Sequence, residues 1–189
     1  MMNRARVPKP AVDRRVALLR GVNVGTAKRI SMADLRQVFE DLGYEDVRTL
    51  LNSGNVVFTI RKAGSGDHAA RVQRAIADRL GIQSRVVVFT RNEIAEAVAG
   101  NPLTSVADNP SRLLVLACAD ANAVARLTPL LQEPLAPEAL VLGERVAYLW
   151  CAKGIGISRL WTMVNRAIGD AGTARNATTM TKLLAILDE

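Results

Sequence analysis

The chain has 189 residues, 49% hydrophobic and 23% charged, a balance that fits a folded globule and argues against general disorder. Aromatic residues are only 4%, so aliphatic side chains must build the core, and no apolar run reaches the roughly 18 residues of a membrane span. Of the net charge of +7, residues 1–15 carry +4 through Arg4, Arg6, Lys9, Arg14 and Arg15 against Asp13, and Arg20, Lys28, Arg29 and Arg36 against Asp34 supply the remaining +3, so a general nucleic-acid footprint is weak.

Residues 1–14 hold Pro8 and Pro10 and no apolar period, and read as a basic flexible arm. Arg15–Arg20 is a short apolar run, a buried strand. A glycine-containing loop, Gly21–Ile30, leads to Ser31, the N-cap of a helix with Leu35, Val38, Phe39 and Leu42 on one face. Asp46–Leu51 and Asn55–Ile60 read as a hairpin about Asn52-Ser53-Gly54. Asp67–Leu80 is a helix closed by Gly81, Ser84–Phe89 a strand, and Thr90-Arg91-Asn92-Glu93 a capping box that opens another helix.

After a loop over residues 100–111 the order repeats. Arg112–Cys118 is a strand, and Asp120 caps a helix. Ala139–Leu142 and Arg145–Cys151 form a hairpin. Ser158–Ile168 is a helix ended by Gly169, and Thr173–Asn176 a strand. Thr178 or Thr179 caps the last helix. Both halves read strand-helix-strand-strand-helix-strand plus one helix, the order of the split βαβ motif. The expected fold is α+β: two tandem ferredoxin-like plaits in one compact unit, over residues 15–105 and 106–189.

In that topology the loop after the first strand and the turn between the second and third lie at one end of the sheet. Arg20, Gly21, Asn23, Gly25, Lys28, Arg29, Ser53, Gly54 and Asn55 then converge near a helix N-terminus, a candidate anion corner. A second candidate corner gathers Gly154, Gly156, Ser158, Arg159, Arg175, Asn176, Thr179 and Lys182. Well-made turns and caps explain the same residues without a ligand.

Other motifs lead nowhere. Gly21–Lys28 has the wrong glycine spacing for a phosphate loop, and Gly154-Ile-Gly156 lacks the third glycine of the dinucleotide fingerprint. His68 is the one histidine. It reads as a solvated surface residue, and no metal site or cofactor is expected. Cys118 and Cys151 fall at opposite ends of adjacent antiparallel strands and should stay free thiols. Tyr148 and Trp150 share one strand face and read as core.

Several blocks carry a resemblance. Val16–Gly25, Lys28, Ile30–Leu35, Asp46–Thr49, Asn52–Phe58 and Asn101-Pro102-Leu103 resemble the bacterial domain-of-unknown-function 1697 family. So do Gly154-Ile-Gly156, Ser158-Arg-Leu160 and Thr173–Asn176, with Thr179, Thr181, Lys182 and Leu183. The chain departs from the family pattern at Thr26, Ile157 and Ala177. The resemblance implies a two-half α/β plait protein of the bacterial cytosol whose polar motifs are the two corners; it implies no reaction.

The expected function is binding of a small phosphate-bearing or other anionic ligand, or of nucleic acid, by a cytoplasmic protein without membrane contact. No signal peptide is read. Two alternatives stand beside it. One is an enzyme using a carboxylate or a threonine near Arg175-Asn176. The other is a protein-interaction module with an exposed apolar patch.

Overall fold

The computed structural model describes residues 13–25, 29–61 and 66–189. The first half runs β1 (Asp13–Leu19), α1 (Met32–Asp41), β2 (Glu45–Leu50), β3 (Asn55–Ile60), α2 (His68–Leu80), β4 (Val86–Thr90) and α3 (Arg91–Ala99). The second runs β5 (Leu113–Cys118), α4 (Ala121–Ala125), β6 (Ala139–Leu142), β7 (Val146–Trp150), α5 (Arg159–Ile168), β8 (Gly172–Asn176) and α6 (Ala177–Asp188). The result is a mixed α/β fold with two four-stranded antiparallel sheets and six helices.

The first sheet has the order β2-β3-β1-β4 and the second β6-β7-β5-β8. Each half therefore places its first strand centrally, between its third and fourth. A central strand buried on both faces needs a continuous apolar run, which is why Val16–Leu19 and Leu113–Cys118 lack alternation. Ala17 and Leu19 face an outer cluster with Leu35, Phe39, Val72 and Ile76 of α1 and α2. Leu114, Leu116 and Cys118 face the equivalent cluster with Leu160, Val164 and Ile168 of α5. The opposite faces meet in one shared cluster that joins Val16 and Leu18 to Leu113 and Val115, with Tyr148, Trp150, Ile94 of α3 and Met180 and Leu183 of α6.

Local signals placed most ends correctly. Ser31 accepts from the Asp34 N–H, Thr90 and Glu93 form the capping box, and Gly81 closes α2 in the left-handed region at φ 65°. Two expectations need correction. β1 takes in Asp13 and Arg14, which pair with Ile60 and Thr59, so they belong to the sheet; residues 1–12 of the expected arm lie outside the described residues. The cap of α6 is Asn176, whose side chain accepts from the Thr179 N–H, so neither Thr178 nor Thr179 caps it. Two 3₁₀ turns, Thr128–Gln132 and Ile155–Ile157, have no counterpart in the periodicity.

Both cysteines are free and buried. The Cys118 N–H bonds the Arg145 carbonyl and the Cys151 N–H bonds the Arg112 carbonyl, at opposite ends of the β5–β7 pair. They stand six residues apart along the strand direction, roughly 20 Å at about 3.3 Å per residue. Burial pushes the Cys118 thiol up to about 12 and also raises that of Cys151. A thiol titration should find no fast-reacting group in the native protein and two after denaturation. A native thiol reacting at the rate of a free cysteine would contradict this packing.

Candidate functional site

The loop after β1 and the β2–β3 turn are neighbours. The Leu19 N–H donates to the Gly54 carbonyl at 2.8 Å, and Leu18 pairs with Asn55. Asn23 ties the loop down. Its amide donates to the carbonyls of Asn52 (2.7 Å) and Ile30 (2.8 Å), and its oxygen accepts the Ile30 N–H at 2.9 Å. Asn23 itself sits at φ 55°, a conformation asparagine tolerates better than most residues. Gly54 has φ 73°, and a Cβ there would lie 2.6 Å from Val22 and 2.7 Å from Leu19, so the turn excludes any side chain.

Arg175 of the second half enters this corner of the first. Its Nε donates to Asn55 Oδ1. One terminal nitrogen donates to Thr173 Oγ1 and the Ala174 carbonyl, each at 2.8 Å. The other reaches the carbonyls of Leu19 at 2.8 Å and Ser53 at 2.9 Å. All five N–H groups of the guanidinium thus meet neutral oxygens. Desolvation draws its pKa down to about 10, so the group remains a buried cation at neutral pH. Asn55, fully buried, gives its remaining donors to the Leu50 carbonyl and Ser53 Oγ. Asn23, Asn55 and Arg175 are therefore the frame of the corner, and their hydrogen-bonding capacity is spent on it.

Arg20 differs. Its guanidinium donates across the junction to the Gly172 carbonyl and to Asn165 Oδ1 at 2.7 Å. It forms no ion pair among the described residues, and desolvation lowers its pKa against a weaker opposing pull from Asp170. A groove of about 520 Å³ opens beside it, lined by Gly21, Gln73, Ser84, Arg85 and Asp170 among others. Gln73 and Arg85 also line a second cleft of about 400 Å³, so the two adjoin just before β4. Gly21, Gly25 and Arg29 lie on the exposed part of the loop, and Ser53 is half-buried in the turn. Lys28 lies outside the described residues.

The second expected corner divides. Arg175 and Asn176 turn to the first half, while Gly154, Gly156, Ser158 and Arg159 stay at the start of α5. Ser158 accepts from the Trp161 N–H, Glu138 takes the Leu160 N–H at 2.9 Å, and Arg159 pairs with Glu133 at 3.1 Å. The α5 N-terminus thus already holds a carboxylate of the chain itself. Thr179 is buried and Lys182 exposed, and no hydrogen bond or ion pair among the described residues joins them to the 154–159 loop.

His68 is buried, which corrects the surface expectation. Its Nδ1 and the Tyr44 hydroxyl are 2.7 Å apart, and Tyr44 packs on Phe58 with the Arg71 guanidinium 5.5 Å from its ring. The signal was present: His68, Val72 and Ile76 recur every fourth residue on the buried face of α2. Arg145 was missed outright. From the β6–β7 turn it reaches Glu93 of α3 and lies 4.4 Å from the Phe89 ring centroid. Burial works to raise the Glu93 carboxyl, but the Thr90 N–H and hydroxyl and Arg145 together hold it below its ordinary range. No local pattern marks such a contact between halves.

The family model described as "Protein of unknown function (DUF1697)" matches residues 12–148. The chain belongs to that family. The match ends before the 154–183 blocks that carried part of the resemblance. A solved structure, that of the conserved bacterial protein SP0830 from Streptococcus pneumoniae, is similar at a TM-score of 0.77 and 21% identity, over 94% of this chain and 99% of that one. That likeness in fold reaches beyond the residues of the family match. No curated protein matches.

Replacing Arg175 with leucine strips the buried Leu19, Ser53 and Asn55 oxygens of their donor. Each such loss costs about 1–3 kcal/mol, so urea unfolding should show a destabilisation on the order of 3 kcal/mol or more. Arg175→Lys should recover little, because an ammonium cannot span the fork of acceptors. A loss below about 1 kcal/mol in Arg175→Leu, the scale of one ordinary hydrogen bond, would contradict the cage.

Proposed function

We propose that the chain is a binding protein whose ligand carries a phosphate or another small anion, held in the groove between the halves against Arg20 and Arg85. One observation carries this reading: Arg20 is a half-buried cation on the groove wall whose only hydrogen-bond partners among the described residues are neutral oxygens. Of five guanidinium N–H groups it uses two, leaving three for a ligand. Arg85, exposed and paired with Asp170 at 2.9 Å, is the second cation on that wall. Gly21 lines the groove, and Asn23, Asn55 and Arg175 fix the loop that carries Arg20.

The groove beside Arg20 has no aromatic side chain in its lining. Single-stranded nucleic acid gains much of its affinity by stacking on such rings, so a small anion is favoured over an oligonucleotide. The enzyme alternative has less support. The carboxyl groups with perturbed pKa values, Glu93 and Asp170, are both shifted toward the ionised form, and neither touches Arg175. We also infer that each half is a ferredoxin-like plait. The strand orders, with the first strand between the third and fourth and all pairs antiparallel, support that reading.

Thermal unfolding with and without inorganic pyrophosphate tests the anion site. At a ligand concentration about 100-fold above Kd, binding adds about 2.7 kcal/mol of stability. The Arg20→Gln/Arg85→Gln double variant should keep a cooperative transition and lose this stabilisation. An equal response in the double variant, or no response of the native chain to pyrophosphate, phosphate or nucleoside monophosphates, would overturn the proposal.

A further inference from the structure

The groove at Arg20 has a volume of about 520 Å³, within the range of pockets that take a whole small molecule. Among the described residues its wall is one glycine and six polar side chains: Arg20, Gln73, Gln83, Ser84, Arg85 and Asp170. No aliphatic or aromatic side chain takes part. A ligand held here is therefore held by hydrogen bonds and charge along its whole length. An alkyl chain or a nucleobase would find no surface to pack on.

The wall offers acceptors as well as donors. Gln73, half-buried, and Gln83, exposed, form no side-chain hydrogen bond among the described residues, so each amide keeps both its N–H groups and its oxygen. Ser84 is 4% exposed. Its hydroxyl proton is spent on the Arg20 carbonyl at 2.9 Å, with the Arg85 carbonyl at 3.3 Å, and its oxygen accepts no hydrogen bond among the described residues. A hydroxyl fixed in this way has only acceptor capacity left. Asp170 is a second pure acceptor: the Arg85 hydrogen bond at 2.9 Å holds its carboxyl below the ordinary range, so it is ionised at neutral pH. A fully ionised phosphate, or a chain of them, carries acceptors only. It would satisfy the spare donors of Arg20, leave the Ser84 oxygen unmatched and be repelled by Asp170.

Resting on the anion-binding reading above, we propose that the ligand of this groove is a sugar phosphate: a polyhydroxy compound that carries one phosphate. The phosphate takes the free N–H groups of Arg20 and the charge of Arg85. The hydroxyls donate to the Ser84 oxygen and the Asp170 carboxylate, and both give to and accept from the amides of Gln73 and Gln83. Such a ligand matches every polar group of the wall, whereas a bare anion matches only the arginines. One cationic pair sets the number of phosphates at one, because Asp170 stands against further negative charge.

Calorimetric titration of the full chain with glucose 6-phosphate and ribose 5-phosphate, against ethyl phosphate, pyrophosphate and glucose, tests the class. At least one sugar phosphate should bind about tenfold or more tighter than ethyl phosphate and pyrophosphate, the scale of one or two net hydrogen bonds, and tighter than glucose. Gln73→Ala/Gln83→Ala should remove most of that preference and leave the affinity for ethyl phosphate unchanged. Arg20→Gln/Arg85→Gln should abolish binding of both phosphate esters. Ethyl phosphate or pyrophosphate binding as tightly as the sugar phosphates, or an undiminished preference in the Gln73/Gln83 variant, would overturn the sugar phosphate and leave the anion site standing. Glucose binding as tightly as its phosphate, or no binding of any phosphate, would remove the anion site as well.

Discussion

A buried guanidinium bound only by neutral oxygens is the constraint around which this molecule is arranged. Arg175 leaves the edge strand of the second sheet and fills a corner made by the first half: the end of β1, the 53–54 turn and the Asn55 side chain. Taking a cation out of water is costly unless every donor finds an acceptor. The first half supplies the Leu19 and Ser53 carbonyls and the buried Asn55 side chain at fixed positions, which ties the two halves to one register. Gly54, with no room for a Cβ, lets the turn come close enough to β1 to complete the cage.

The shared core makes the same demand. Val16 and Leu18 of β1 and Leu113 and Val115 of β5 meet in one cluster, roofed by α3 and α6. Neither half buries that face alone. Arginines then line the seam: Arg20 to Gly172 and Asn165, Arg85 to Asp170, Arg91 to Asp188, and Arg145 to Glu93. The exposed pairs are each worth little. Against that background Arg20, which faces a groove and forms no ion pair among the described residues, stands apart.

The sequence showed the architecture because its signals are local. Caps at Ser31, Asp67, Asp120 and Ser158, the capping box at Thr90 and the glycines at 81 and 169 each act within a few residues. Repetition of one element order made the two-half plan legible. The candidate sites were legible only in part. Asn23, Ser53, Gly54 and Asn55 do come together, since a turn and a loop at one sheet end must. That Arg175 belongs with them is a contact between residues 120 apart in sequence, and no periodicity reports it. Arg145, which pairs with Glu93 across the halves, was hidden for the same reason. His68 was misread because a polar residue next to a cap looks solvated, although its four-residue spacing to Val72 and Ile76 pointed inward.

If the halves are held in one register by Arg175 and one shared core, neither should unfold without the other. Native-state hydrogen exchange measures this directly. The slowest amides of β1 and β5 should exchange at the same free energy, equal to that of global unfolding. If β5 kept its protection while β1 opened at a free energy lower by about 2 kcal/mol or more, well outside a single cooperative unit, the halves would be separate folding units and the central role given to Arg175 would be wrong.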